Sequence, residues 1–309
     1  MRNGVGKDSE RFVNKAVMAL DRGNWLLAVQ FLKKVLTADP KHLPAYHELA
    51  DIYLHLGHFD AAFEVVHRAV QAHPNDYHSS FVLANIFLVQ NKPDQALGIY
   101  RRLEKEKNED QEVTDLFFNM ALAYHAKNQM AQALRYLRHA VEEDGSYAEA
   151  YELMGKILFE RKDLPGAKAS FEKIIQLEPS HLNAHHMLGI IYSKELKWDK
   201  AIQEWETVLA LAPETDEALR ELGWAFNMIG QEERAVDFLR KALEINPQNV
   251  QARIDLGAVF MGKMQFKEAI AEWEWVRQYD PSNKVIHKFL SQARLYEKKM
   301  MKQEKKEER

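Results

Sequence analysis

The chain has no cysteine, which removes disulfides, thiolate metal sites and a cysteine nucleophile together. Long hydrophobic runs are missing as well: no stretch approaches the roughly 18 apolar residues of a membrane span. The opening residues MRNGVGKDSERF contain no apolar run like the core of a signal peptide. Charge of one sign is not in excess, since 42 Lys and Arg face 46 Asp and Glu for a net charge of -4. That balance leaves no global basic field for nucleic acid or an acidic membrane. Glycine and proline are sparse, at 13 and 9 of 309 residues, and charged residues are interspersed rather than blocked. Glycine-rich phosphate loops, nucleophile elbows and zinc-protease helix motifs are absent. These absences lead to the expectation of a soluble, cytoplasmic, non-catalytic protein with no cofactor, no nucleic-acid partner and no membrane span.

What is present is a period. Residues 216 to 249, DEALRELGWAFNMIGQEERAVDFLRKALEINPQN, read as two helices. Leu219, Leu222, Gly223 and Phe226 recur at helical spacing, Gly230 interrupts, and Ala235, Phe238, Leu239 and Ala242 recur before Pro247 closes the unit. The second-helix alanine returns as Ala28, Ala62, Ala96, Ala133, Ala167, Ala201, Ala235 and Ala269, in steps of 34 residues except for one of 37. Twelve residues before each stands a small residue: Ala16, Ala50, Ala84 and Ala121, then Gly155, Gly189, Gly223 and Gly257. Small residues there let two helix backbones approach while large ones fill the seam. The position twelve residues after each alanine is proline in six of eight units, and proline stops one helix and sets up the next.

This pattern resembles the tetratricopeptide repeat, whose 34-residue signature has Trp, Leu-Gly and Tyr followed by Ala, Phe and Pro. The resemblance covers residues 9–283 and implies an all-α fold, a right-handed superhelical α-solenoid of helix-turn-helix repeats. The units fall at 9–42, 43–76, 77–110, 114–147, 148–181, 182–215, 216–249 and 250–283. Residues 1–8 read as a flexible N-terminus, 284–296 as a capping helix presenting Ile286, Phe289, Leu290, Ala293 and Tyr296, and 297–309 as a charged tail. Ser80, His185 and Arg253 depart from the pattern by replacing the first large residue of their units. Three extra residues fall within Lys107–Val113, a polar connection whose lengthening is cheap.

The family resemblance implies that positions 2, 5, 6, 9, 12 and 13 of each unit line a concave wall that binds a peptide. Carried onto this sequence, the candidate partner-binding groove comprises Phe81, Asn85, Leu88, Phe118, Asn119, Leu122, His125, Lys156, Ile190 and Trp224. Apolar residues at positions that packing does not require mark an interaction surface. The two asparagines offer donor and acceptor to an extended backbone. An alternative placement turns Val82 and Leu88 into the helix seam and leaves Phe81 and Phe118 showing. The co-chaperone subtype that grips a carboxylate is excluded, because its basic positions hold Phe81, Glu149 and Leu153.

Two histidine sets invite a metal reading: His181, His185 and His186, and His47 with Asp51 and His78. Without cysteine or a recognised metal signature they read as surface histidines. The sequence therefore points to a protein-interaction scaffold or adaptor that takes a partner's peptide or amphipathic helix in its groove. The alternative is a homo-oligomer stacking through the uncovered first repeat.

Overall fold

The computed structural model describes residues 2–106 and 113–307, with side chains described over 9–106 and 113–303. The expected insertion therefore falls, apart from Val113, outside the described residues. Among these residues the chain is entirely helical and forms two compact units, 1–150 and 151–309.

Unit 1 contains α1 (Arg2–Leu20), α2 (Trp25–Ala38), α3 (Leu43–His55), α4 (Phe59–Ala72), α5 (Tyr77–Val89), α6 (Pro93–Glu106), α7 (Thr114–Ala126) and α8 (Met130–Glu143). α9 (Ala148–Glu160) includes the division point. Unit 2 continues with α10 (Leu164–Leu177), α11 (Leu182–Lys194), α12 (Trp198–Leu211), α13 (Asp216–Met228), α14 (Glu232–Ile245), α15 (Val250–Gly262), α16 (Phe266–Tyr279) and α17 (Lys284–Glu307). In α1 to α16, odd-numbered helices are the first of a pair and even-numbered helices the second, and α17 stands alone after the last pair. Neither helix of a pair has an apolar stripe that it can bury alone, so within each unit helices pack on their neighbours in chain order.

The ends of the helices follow from side chains that satisfy orphan backbone groups. Asn24, His42, Asp76, Asp163, His181 and Asn249 each accept a hydrogen bond from the backbone N–H three residues on. Between the two helices of every pair one residue is left-handed: Gly23, Gly57, Asn91, Asn128, Lys162, Leu196, Gly230 and Met264. Glycine and asparagine tolerate that conformation, but Lys162, Leu196 and Met264 adopt it with a Cβ in place.

The seam within each pair explains the small residue of its first helix. A Cβ on Gly155 would lie 2.8 Å from the ring of Phe171, and one on Gly223 would lie 2.6 Å from Leu239 Cγ. At Gly189 and Gly257 it would collide with the indole nitrogens of Trp205 and Trp273, closer than real Cβ atoms approach other groups. The Trp273 indole donates to the Ile254 carbonyl at 3.1 Å, whereas the fully buried Trp205 indole finds no acceptor.

The three departures from the repeat pattern are compensated locally. His185 lies between the Glu204 carboxylate at 2.7 Å and the Pro179 carbonyl at 2.9 Å. Arg253 bridges Glu272 at 2.9 Å and the Pro247 carbonyl at 3.2 Å. Ser80 accepts from Arg102 at 2.9 Å. In each case a polar residue on the second helix accompanies the polar residue on the first, so the buried group is paired. Tyr46 and His287 reach back to Pro40 and Pro281 in the same way, which fixes the first helix to the carbonyl ending the preceding unit.

At both chain ends helix runs beyond the repeats. α1 is helical from Arg2, since no proline interrupts it and its two glycines cost only about 1 kcal/mol each. α17 buries Ile286, Leu290 and Ala293 and continues through the charged stretch to Glu307. Its Lys, Glu, Gln and Met residues are all good helix formers. Among the described residues, no helix is long and apolar enough to cross a membrane.

Candidate functional site

The sequence-derived groove residues lie on first helices, in two groups best described unit by unit. In unit 1, Tyr77 and Phe81 stack one turn apart on α5 with centroids 5.9 Å apart, and Phe81 also meets Tyr100 at 6.0 Å. The Tyr100 hydroxyl donates to Asn85 Oδ1 at 2.6 Å, and the Asn119 amide donates to the same oxygen at 3.3 Å. The Asn85 carbonyl is thus committed to the structure and ties α5 to α6 and α7. Burial, with Tyr77 nearby, pushes the Tyr100 hydroxyl well above the ordinary phenol range, so it stays a donor. Phe118 meets Tyr147 edge-on at 5.1 Å, and the Tyr147 hydroxyl donates to Asp115 at 2.9 Å.

Phe81, Leu88, Phe118, Leu122 and His125 are half-buried, while Val82 is buried in the core. Val82 therefore follows the alternative placement. The result is a wall of half-exposed aromatic and aliphatic groups whose amides are already engaged with one another.

In unit 2 the first helices α11, α13 and α15, with α17, enclose a recess of about 460 Å³. Ile190, Trp224, Ile254, Ala258 and Phe289 supply apolar lining, and Trp198 contributes from the start of α12. Of the sequence-derived residues Ile190 and Trp224 belong to it. Lys156 does not, because its ammonium is held by Glu152 at 2.6 Å, with Asn183 donating to the same oxygen at 2.7 Å.

At the base of the recess lies a charge cluster that sequence reasoning missed as a site. Arg220 donates to Asp255 Oδ2 at 3.0 Å and pairs with Glu221, while Gln251 donates to Asp255 Oδ1 at 2.8 Å. The Asp255 side chain is only 8% exposed. Burial raises both carboxyls above the usual carboxylate range, and for both this outweighs the opposing pull of Arg220. On α11, His186 is lowered by burial and by Arg220, and its Nε2 is buried without a partner. Glu221 and Asp255 occupy position 6 of successive units, a groove position in the resembled family. That register was the available signal, but each acid taken singly looks like a solvated helix face.

Histidines of both sets are engaged in local structural contacts. His181 caps α11, His185 is engaged by Glu204 and Pro179, and His47 is hydrogen-bonded to Asp76 at 2.8 Å and packed on His78. Among the described residues, no three His, Asp or Glu side chains are grouped as a metal site.

Paired helices repeated at a fixed period define a helical-repeat protein. Family models described as tetratricopeptide repeat match residues 19–79, 118–181 and 186–250. The chain belongs to the tetratricopeptide repeat family.

No curated protein matches it in sequence. Among solved structures, it is similar to the C-terminal part of a TPR repeat-containing protein from Cytophaga hutchinsonii, at 19% identity and TM-score 0.67 over 78% of this chain and 98% of that one. MamA from Desulfovibrio magneticus RS-1 matches at 25% identity and TM-score 0.53, over 56% of this chain and 98% of its own. A chain of the APC/C hetero-tetramer Cut9-Hcn1 matches at 17% identity and TM-score 0.54, over 94% of this chain and 57% of its own. Repeats of this family point to protein interaction, and the fold typically serves as a non-catalytic scaffold.

Proposed function

We propose that the chain is a non-catalytic adaptor whose first-helix walls hold an extended or amphipathic-helical segment of a partner protein. Its eight repeats act as the structural frame and the cytoplasm as its setting. The observation that carries this reading is the unit 2 recess, where Trp224 and the partly buried Ile190, Ile254 and Phe289, which pack against the core from one side, leave apolar surface accessible on the other. Recesses of a few hundred Å³ with apolar walls and a few convergent polar groups are the usual form of a binding site. The half-exposed Phe81, Phe118 and Leu122 of unit 1 offer a second apolar contact, and anchors of this kind typically lose about 2 kcal/mol or more on truncation.

The test is affinity capture from the native cell extract with three chains: the wild type, a Phe81→Glu, Phe118→Glu variant and an Ile190→Glu, Trp224→Glu variant, all checked for unchanged helicity. Loss of a partner in either variant supports the wall of that unit. Retention of every partner by both overturns the reading.

A second reading, self-assembly through the first repeat, is favoured by a separate observation. Val17, Met18 and Leu26 are 50%, 59% and 74% exposed on α1 and α2, beside a small apolar recess that includes Val13, Leu20 and Leu32. Sedimentation across a concentration series, with Met18→Glu and Leu26→Glu as the control chain, decides it.

A further inference from the structure

We infer that the unit 2 recess takes up a basic side chain, the ammonium of a lysine or the guanidinium of an arginine, presented by the partner segment. This rests on the scaffold reading and names the chemistry of the group received.

The inference starts from a charge deficit. The base of the recess holds two carboxylates, Glu221 and Asp255, and a single guanidinium, Arg220, that serves both. The other titratable groups facing it do not make up the difference. His186, on α11, is held toward its neutral form by burial and by Arg220. Lys194 stands at the rim, but its ammonium lies over the Phe159 ring, 5.4 Å from the centroid.

An occupant that covers the recess removes remaining water from these carboxylates. A purely apolar segment would worsen that desolvation with no return, and an acidic segment would add a third negative charge. A basic side chain instead supplies the missing counter-charge. The walls suit the same group: aromatic faces attract cations, and Trp198, Trp224 and Phe289 line the cavity. Ile190, Ile254 and Ala258 offer apolar surface to the alkyl stem of a lysine or arginine, which carries its charge at the far end. Charge and shape thus select one class of side chain.

A displayed library of random dodecapeptides, selected on the full-length chain and counter-selected on Trp224→Ala, tests this. Selected peptides are expected to share a lysine or arginine. Replacing that residue by norleucine, with the wild-type chain as receptor, is expected to weaken binding about thirtyfold or more. Glu221→Gln, which keeps the shape and removes the charge, is expected to weaken the parent peptide comparably while leaving the norleucine peptide unchanged. Because the norleucine comparison uses only wild-type protein, it decides the matter even if a receptor variant folds poorly. Peptides that depend on Trp224 but share no basic residue, or that tolerate norleucine, would overturn the inference while leaving the scaffold reading intact. A library that yields no Trp224-dependent peptide would overturn both for this recess.

Discussion

Unit 1 and unit 2 are built on the same period but place their glycines differently. At the seam position unit 1 has Ala16, Ala50, Ala84 and Ala121, with Leu32, Val66, Tyr100 and Leu137 sixteen residues further on in sequence. Unit 2 has Gly155, Gly189, Gly223 and Gly257 facing Phe171, Trp205, Leu239 and Trp273. At each of the unit 2 glycines the partner side chain occupies the space a methyl group would take, and three of those four partners are aromatic. At the turns the distribution reverses. Unit 1 uses Gly23, Gly57, Asn91 and Asn128 for the left-handed position, while unit 2 uses Lys162, Leu196 and Met264 beside a single glycine, Gly230. Unit 2 thus combines a bulkier core with strained turns, and unit 1 combines a lighter core with relaxed ones.

The first way to break this comparison is to equalise the seam. Gly189→Ala and Gly257→Ala should each destabilise unit 2 by about 1–3 kcal/mol, because Trp205 and Trp273 are walled in and cannot yield. The reverse change in unit 1, Ala50→Gly, should cost about 1 kcal/mol through helix propensity alone. Urea melts followed by tryptophan fluorescence measure the first pair, since all the tryptophans except Trp25 lie in unit 2. Melts followed by circular dichroism measure the reverse change. An Ala at 189 or 257 with no effect would show that the seam is looser than the structure has it.

A smaller effect sharpens the electrostatic side of the comparison. The folded Glu221 carboxyl is raised above its unfolded value, mainly by burial. A raised acid contributes stability fully below its unfolded pKa and loses it as pH rises through the folded one. Glu221→Gln should therefore stabilise unit 2 at neutral pH by about 1 kcal/mol, leaving Arg220 paired with Asp255. The advantage should shrink as pH is lowered through the carboxylate range. A variant less stable than wild type at neutral pH would mean that the cluster is already balanced. The smallest effect is at the turns: Leu196→Gly should stabilise by about 0.5–1 kcal/mol, the relief of left-handed strain less the entropy glycine adds to the unfolded chain. Denaturation midpoints again provide the check.

Much of the fold could be read from the sequence because the repeat states it eight times. Ala28 through Ala269, the small residue before each and the closing prolines together specify paired helices without any one of them being decisive. The site was harder to read. Phe81, Phe118, Ile190 and Trp224 were chosen by register, and Ile190 and Trp224 line a recess. Register alone could not show that the Asn85 carbonyl is occupied by Tyr100 and Asn119, because that depends on where a second-helix tyrosine points. It also could not show Arg220, Glu221 and Asp255 as one cluster, since they meet across two helices 35 residues apart in sequence at their widest pair. His185 and Arg253 looked like flaws in the pattern until Glu204 and Glu272 appeared opposite them. Pairing across elements is the information a single-position pattern omits.

The most direct measurement places a photo-cross-linking residue at Trp224, on the unit 2 wall, and separately at Gln203, a solvent-facing position on α12, and irradiates each chain in native cell extract. The account predicts a discrete protein adduct from position 224 and none from position 203. Adducts from position 203 with none from 224 would contradict it, placing any partner on the second-helix surface.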